Sequence, residues 1–349
     1  MNSRITLTSS EKISLLSNLS TMLGAGIPLL EAINSSLEDT KGHTKKILET
    51  LKADLMQGKS LYDSFGQFPR VFDKVTLNLI KAAEEAGTLE TTLKDLREHI
   101  QKETEFMDKI KFAMIYPGLI LTLFAGLLLV ILIFVIPRIA SVFNRLHITL
   151  PLPTKILIFM SNILLKQTWY FLGGTFAVLA LMFVFFKTNR HLVMEILYRL
   201  PLISHLIKQI DLTRFSRNMF LLLSSGLPIV TALELSRDVV LRARTSKIIT
   251  SSKTMISSGK KLSEGLRTGK GYIPSLMIKL VEAGEKSGTL DKSMGEIATY
   301  LDYQVTNSLK TVTAVMEPFL LVVVGISVGA MMMSIISPIY GLIGQIGNR

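Results

Sequence analysis

Apolar residues follow two patterns along this chain, and the alternation between them lays out its architecture. Between residues 8 and 112 they recur every three or four positions, the signature of helices with one buried face. From Ala113 to Ile136 the pattern gives way to 24 consecutive uncharged positions. As a helix this run is about 36 Å long, enough to cross a hydrocarbon core of about 30 Å. Amphipathic periodicity resumes over residues 187 to 312. Two more uncharged runs, Trp169 to Phe186 and Phe319 to Ile336, complete the layout, the latter extending through Pro338, Ile339 and Tyr340 to Ile343. Core helices of soluble proteins seldom stay charge-free over five turns, so each run reads as a transmembrane helix.

Punctuation residues divide the first amphipathic stretch into six helices. Thr8 and Glu11 form a capping box for a helix ending near Gly24. Pro28 opens the second helix, where its missing N–H costs nothing. A third runs to about Gln57 and stops at Gly58; a fourth spans Ser60 to Phe65 before Pro69. The fifth, Phe72 to Ala86, precedes Gly87, which suits the left-handed position beyond a helix end. Thr88 opens the sixth, which continues through Lys111 into the first apolar run. No stretch alternates long enough for a sheet, so a compact all-α bundle is expected.

The same unit occurs twice. Gly26-Ile27-Pro28-Leu29 with Ala32-Ile33 returns as Gly226-Leu227-Pro228-Ile229 with Ala232-Leu233, 200 positions on. Gly58-Lys59, Glu84, Gly87-Thr88-Leu89 and Pro117 return as Gly259-Lys260, Glu285, Gly288-Thr289-Leu290 and Pro318, 201 positions on. Co-linear self-similarity of this length marks a duplicated unit, and each copy ends in an apolar run. The expected fold is therefore an all-α membrane protein, with two homologous cytoplasmic six-helix bundles and three transmembrane helices. Its segments are a first bundle (1–112), a span (113–136), a short periplasmic segment (137–168), a second span (169–186), the second bundle (187–314), a third span (315–343) and a periplasmic tail (344–349).

Charge refines this picture. The first 20 residues are polar and carry no signal-peptide pattern, so the N-terminus is expected on the cytoplasmic side. Nine Lys and Arg flank the proposed inner ends (Lys94, Arg97, Lys102, Lys109, Lys111, Lys187, Arg190, Arg199 and Lys310). Five lie outside (Arg138, Arg145, Lys155, Lys166 and Arg349), the sign the positive-inside rule requires. The chain carries a net +12, unevenly distributed. Residues 1 to 112 hold 15 Lys and Arg against 16 Asp and Glu, a net −1; residues 187 to 312 hold 19 against 10, a net +9. The second copy thus faces either anionic lipid headgroups or an acidic partner, with Arg242, Arg244, Lys260 and Lys261 as candidate contacts. Nucleic acid is not expected, since no recognition fold or basic-aromatic interleaving accompanies the charge.

Candidate chemistry is sparse. Gly58-Lys59-Ser60 resembles the end of a phosphate-binding loop, but Ala53 stands where that motif needs glycine, and the stretch closes a helix rather than following a strand. The five histidines, His43, His99, His147, His191 and His205, show no metal-ligand spacing, and there is no cysteine. No cofactor is expected. Glu84 and Glu285 end the fifth helix of each copy and suit either a helix-neighbour pairing or a cation or partner contact. The apolar runs hold no Asp, Glu, Lys, Arg or His, which argues against a pump or ion channel. Gly325 and Gly329 form a small-xxx-small pair, suited to close helix contact between copies of the chain.

These residues together resemble a known family. Leu200-Pro201-Leu202-Ile203, Arg214-Phe215-Ser216-Arg217 and Leu222-Leu223-Ser224-Ser225-Gly226-Leu227-Pro228 look like the opening of the second domain in type II secretion system F proteins, a family that includes type IV pilus platform proteins. Tyr116-Pro117, Val135-Ile136-Pro137 at the exit of the first span, Leu150-Pro151-Leu152-Pro153-Thr154, Glu317-Pro318 and Pro338-Ile339-Tyr340 agree. So do Glu84 and Glu285, each followed three residues later by Gly-Thr-Leu. The first copy departs from the pattern: it reads Ala83-Glu84-Glu85-Ala86 against Gly284-Glu285-Lys286-Ser287, and it lacks the Arg-Phe-Ser-Arg run.

The resemblance implies a non-enzymatic, multi-pass platform in the bacterial inner membrane. Its implied partners are a cytoplasmic secretion or pilus ATPase, pilin or pseudopilin subunits, other inner-membrane assembly proteins, membrane lipid and further copies of itself. The positions that carry the motif are Gly26, Pro28, Glu84, Gly87, Leu89, Pro117, Pro137, Arg214, Arg217, Gly226, Pro228, Glu285, Gly288, Leu290 and Pro318. A transport or channel protein is the alternative compatible with three spans and duplicated domains.

Overall fold

A computed structural model of the protein describes residues 5–145, 152–166 and 201–346. The described residues are helical, with one isolated bridge between Lys270 and Ile273. The chain divides into two units: Met1–Lys109 with His205–Asn307, and Ile110–Ser204 with Ser308–Arg349. The first unit holds the bundle part of both copies of the repeat. The second holds the apolar segments.

In the first copy the helices are α1 (Ser9–Gly24), α2 (Leu29–Glu38), α3 (Gly42–Met56), α4 (Leu61–Gly66), α5 (Lys74–Ala86) and the start of α6 (Leu89–Val130). Their boundaries have local causes. Thr8 and Glu11 exchange side-chain-to-backbone bonds in a complete capping box at α1. Ser60 and Asp73 accept from the third helical N–H of α4 and α5. Gly87 ends α5 at φ 70°, a left-handed conformation that costs a residue with a Cβ more than it costs glycine.

The second copy repeats the order as α9 (Pro201–Ser224), α10 (Ile229–Arg237), α11 (Ala243–Ser257), α12 (Leu262–Arg267), α13 (Ser275–Ser287) and the start of α14 (Leu290–Ile346). Gly288 ends α13 at φ 73°, the counterpart of Gly87. The Gly-Lys turns match as well. Gly58 sits at φ 77° and Gly259 at φ 80°, and each following lysine N–H closes back on the helix, Lys59 on the Asp54 carbonyl and Lys260 on that of Met255. Both are helix C-terminal turns.

One apolar core runs through both copies. It joins Leu16, Leu19, Ile33, Ile47, Phe65, Phe72 and Leu79 of the first to Phe215, Met219, Leu222, Leu233, Val281, Ile297 and Leu301 of the second. The copies are packed differently at two places. Leu51 and Ser64 of the first correspond to Ser252 and Gly265 of the second, where α11 and α12 approach so closely that a Cβ on Gly265 would lie 2.7 Å from the Ser252 Cα. Ala83 corresponds to Gly284, where a Cβ would lie 3.0 Å from the Leu290 backbone.

In the second unit, α6 ends in a π-helical turn, Ile131–Val135, followed by α7 (Ile136–Arg145). Pro137, expected at the exit of the first span, does not end the helix, which continues through it to Arg145. The wider π-turn lets the Ile136 N–H close on the Ile131 carbonyl, so Pro137 falls in the first turn of α7, where an N–H is not needed. The following helix α8 (Leu152–Lys166) packs Leu157 and Ile158 against Ile131, Leu132 and Ile136 of the turn. Residues of the expected short connecting segment thus form α7 and α8 where they are described. Two helices, Leu89–Ser141 and Leu290–Ser334, are long and apolar enough to cross a membrane. The expected span 169–186 lies outside the described residues.

Candidate functional site

The Arg-Phe-Ser-Arg run on α9 builds the main polar contact between the two copies. Leu212, Phe215 and Met219 anchor α9 in the core, and the same helical register turns Arg214 and Arg217 toward α6. On α6, Glu103, Phe106 and Met107 share one face at i, i+3 and i+4 spacing.

Arg217 donates from Nη1 to Glu103 Oε2 at 2.8 Å and from Nη2 to Asp302 Oδ1 on α14 at 3.1 Å. Arg214 Nε donates to the other Glu103 oxygen at 2.9 Å. Lys109 Nζ completes the cluster on Asp302 Oδ2 at 2.9 Å. The Arg217 guanidinium stacks 4.9 Å from the centre of the Phe106 ring. Its side chain is 10% exposed, so screening is weak and the geometry is well held. One planar group therefore bridges α6 and α14, the two helices that run on into the apolar segments.

A cavity of about 1040 Å³ opens beside this clamp, lined by residues of both copies. His99 stands on its wall. Burial, and after it the nearby Arg217 charge, holds its pKa down at about 4, so the ring is neutral at pH 7.

A second polar centre lies on the second copy. Asp211, in the otherwise apolar Ile210-Asp211-Leu212 stretch, accepts the Leu241 and Arg242 N–H groups, both at 2.8 Å, at the start of α11. Burial pushes its carboxyl pKa up, and those two backbone bonds oppose the shift. Lys208, Arg242 and Arg244 surround the Tyr272 ring at 5.6, 5.7 and 4.8 Å from its centre. Burial, then Arg242 and Arg244, lower the Lys208 pKa. Of the expected acidic-partner contacts, Arg242 and Arg244 share this cluster, whereas Lys260 and Lys261 are exposed at the turn before α12.

Glu84 and Glu285 occupy equivalent positions. Glu84 accepts the Leu61 and Tyr62 N–H groups at the start of α4, at 2.7 and 3.1 Å. Glu285 accepts those of Leu262 and Ser263 at the start of α12. Each carboxylate ties the fifth helix of its bundle to the fourth, as a charge at a helix N-terminus favours. Leu89 and Leu290 pack against the core, while Gly26, Pro28, Gly226 and Pro228 form matching exposed turns, each followed by a helix. Pro117 is buried within α6, Pro318 is exposed on α14, and among the described residues nothing lies within 4 Å of a Cβ placed on Gly325 or Gly329. Among the described residues no group of three or more acidic or histidine side chains is placed to hold a metal ion.

The clamp acids Glu103 and Asp302 carry no sequence signal. They lie 114 and 85 residues from Arg217, beyond the reach of any spacing rule. Asp211 has a weak signal, a lone carboxylate inside an apolar helical stretch.

The profile of type II secretion system protein F matches residues 15–137 and again 215–338. The two matches begin 200 and end 201 positions apart, the same offsets as the internal repeat. The chain belongs to the type II secretion system protein F family. Relatives in this family include the type IV pilus assembly protein PilC of Thermus thermophilus, 28% identical over 331 residues, which span 94% of this chain and 81% of the relative. PilC of Pseudomonas aeruginosa is 29% identical over 341 residues, 95% of this chain and 88% of its own. Type II secretion system protein F of Aeromonas hydrophila is also 29% identical, over 93% of this chain and 84% of its own. The F-family membership covers both bundles and the two long apolar helices.

Proposed function

We propose that this F-family protein is the inner-membrane assembly platform of a type IV pilus or type II secretion machine. In this role it couples a cytoplasmic ATPase to the insertion of pilin-like subunits into a filament, and it hydrolyses nothing itself. The observation that carries this reading is mechanical. In α6 and α14 the bundle helix and the apolar segment are one uninterrupted helix or helix plus π-turn, and Arg217 bonds both at their bundle ends. The proposed route for a displacement is along these two continuous helices. Family relatives named for pilus assembly and type II secretion support the same reading.

The N-terminus and both bundles are assigned to the cytoplasm. The basic second copy, through Arg242 and Arg244 beside Tyr272 together with Lys260 and Lys261, is assigned to an acidic partner surface. Reversing those four charges is expected to weaken capture of the partner ATPase; undiminished capture would count against that surface. Deleting the chain while the ATPase remains at its normal level is expected to abolish filaments. Normal filaments in that strain, or solute or ion flux through the purified protein in vesicles, would favour a transport role instead.

A further inference from the structure

Proline takes a hydrogen-bond donor out of a helix, and two prolines do so in the second unit. In a regular helix the Ser334 carbonyl of α14 accepts from the residue four on, which here is Pro338. The Leu132 carbonyl meets the same problem in the π-turn. Its donor at i+4, Ile136, is committed to Ile131, and its donor at i+5 is Pro137. In hydrocarbon no water can satisfy such a group, so leaving it bare is costly.

Both carbonyls are met by hydroxyls of one helix. Thr154 Oγ1 donates to the Ser334 oxygen and Ser161 Oγ to the Leu132 oxygen, each at 2.6 Å. The two donors are seven residues apart on α8, which places them on one face and about 10 Å apart along it. Thr154 is 1% and Ser161 2% exposed. Three other hydroxyls in the apolar helices turn back on their own helix: Thr122 on Gly118, Ser327 on Val323 and Ser334 on Ala330. Ser161 has the Leu157 carbonyl available in the same way and reaches across to Leu132 instead.

We infer that α8 is a two-point clasp, in which Thr154 and Ser161 stand in for the backbone donors that Pro338 and Pro137 remove and thereby fix the two long apolar helices to each other. This assignment is independent of the platform reading. The clasp gives α6 and α14 a fixed partner beyond their bundle ends.

A pair of mutant cycles on the full-length protein in lipid nanodiscs, followed by thermal melting, tests this. Ser161→Ala is expected to lower Tm by about 2–4 °C in the native background. In a Pro137→Ala background, where the backbone again offers a donor near Leu132, the loss is expected to shrink to less than half. Thr154→Val should behave in the same way with Pro338→Ala. In the crossed pairing, Ser161→Ala with Pro338→Ala, the losses should simply add. Ser161→Thr and Ser161→Val, which share a shape and differ in the hydroxyl, give a check that needs no proline variant: the threonine form should melt higher. Equal melting of those two, or an unchanged Ser161→Ala loss in the Pro137→Ala background, would overturn the clasp.

Discussion

Single side chains in this protein act mainly by satisfying backbone groups that the fold would otherwise strand. Glu84 and Glu285 each accept two N–H groups at the start of a six-residue helix, too short to hold its own end in place. Glu285→Gln is expected to lower stability by about 1 kcal/mol, and Glu285→Ala by more, read from denaturant unfolding of the purified protein. Gly284→Ala should cost about 1–3 kcal/mol, because the added methyl meets Ser293 and the Leu290 backbone, whereas the first copy tolerates Ala83 at the same place. His99 gives the clamp a pH dependence. Its pKa is about 4 when folded against about 6.5 unfolded, so the unfolded chain takes up a proton first as pH falls. Its effect is absent above pH 6.5, and stability drops progressively from there to pH 4. His99→Gln should flatten that part of a pH–stability profile, and an unchanged slope would remove His99 from the explanation.

At the scale of helices, how much could be read in advance depended on how local the cause was. The Thr8–Glu11 capping box, the Pro28 and Pro228 starts and the Gly87 and Gly288 ends all follow from neighbouring residues, and the structure places them where the sequence does. The pair Arg214 and Arg217 was visible as a motif, but its acids were not: Glu103 and Asp302 reach it only when α6, α9 and α14 pack together. Pro137 was visible at the end of the apolar run, but the π-turn that carries the helix through it to Arg145 was not, because it depends on backbone bonding rather than on residue pattern. Thr154 and Ser161 were silent in the sequence because a hydroxyl in an apolar helix ordinarily bonds its own helix. Arg217→Ala leaves Glu103 with Arg214 alone and Asp302 with Lys109, in a half-buried site. It is expected to destabilise the protein by about 3 kcal/mol. Arg217→Lys should recover little, since a single ammonium cannot span two carboxylates as the guanidinium fork does. Recovery of full stability by lysine would show that charge rather than geometry matters there.

For the molecule as a whole, duplication places two similar bundles on one continuous core and gives each a helix that runs into an apolar segment. We propose that Gly325 and Gly329, which meet no neighbour among the described residues, let a second copy of the chain approach α14. Replacing both by Ile is expected to reduce the oligomer mass in mild detergent, and an unaltered mass would move the self-contact elsewhere. The most direct measurement is filament formation in a strain whose only copy of the gene carries Arg217→Ala, at an expression level matched to wild type in the membrane fraction. Loss of filaments, with the ATPase present and the protein folded in the membrane, is the predicted result. Filaments in normal number and length would contradict transmission of motion through the clamp.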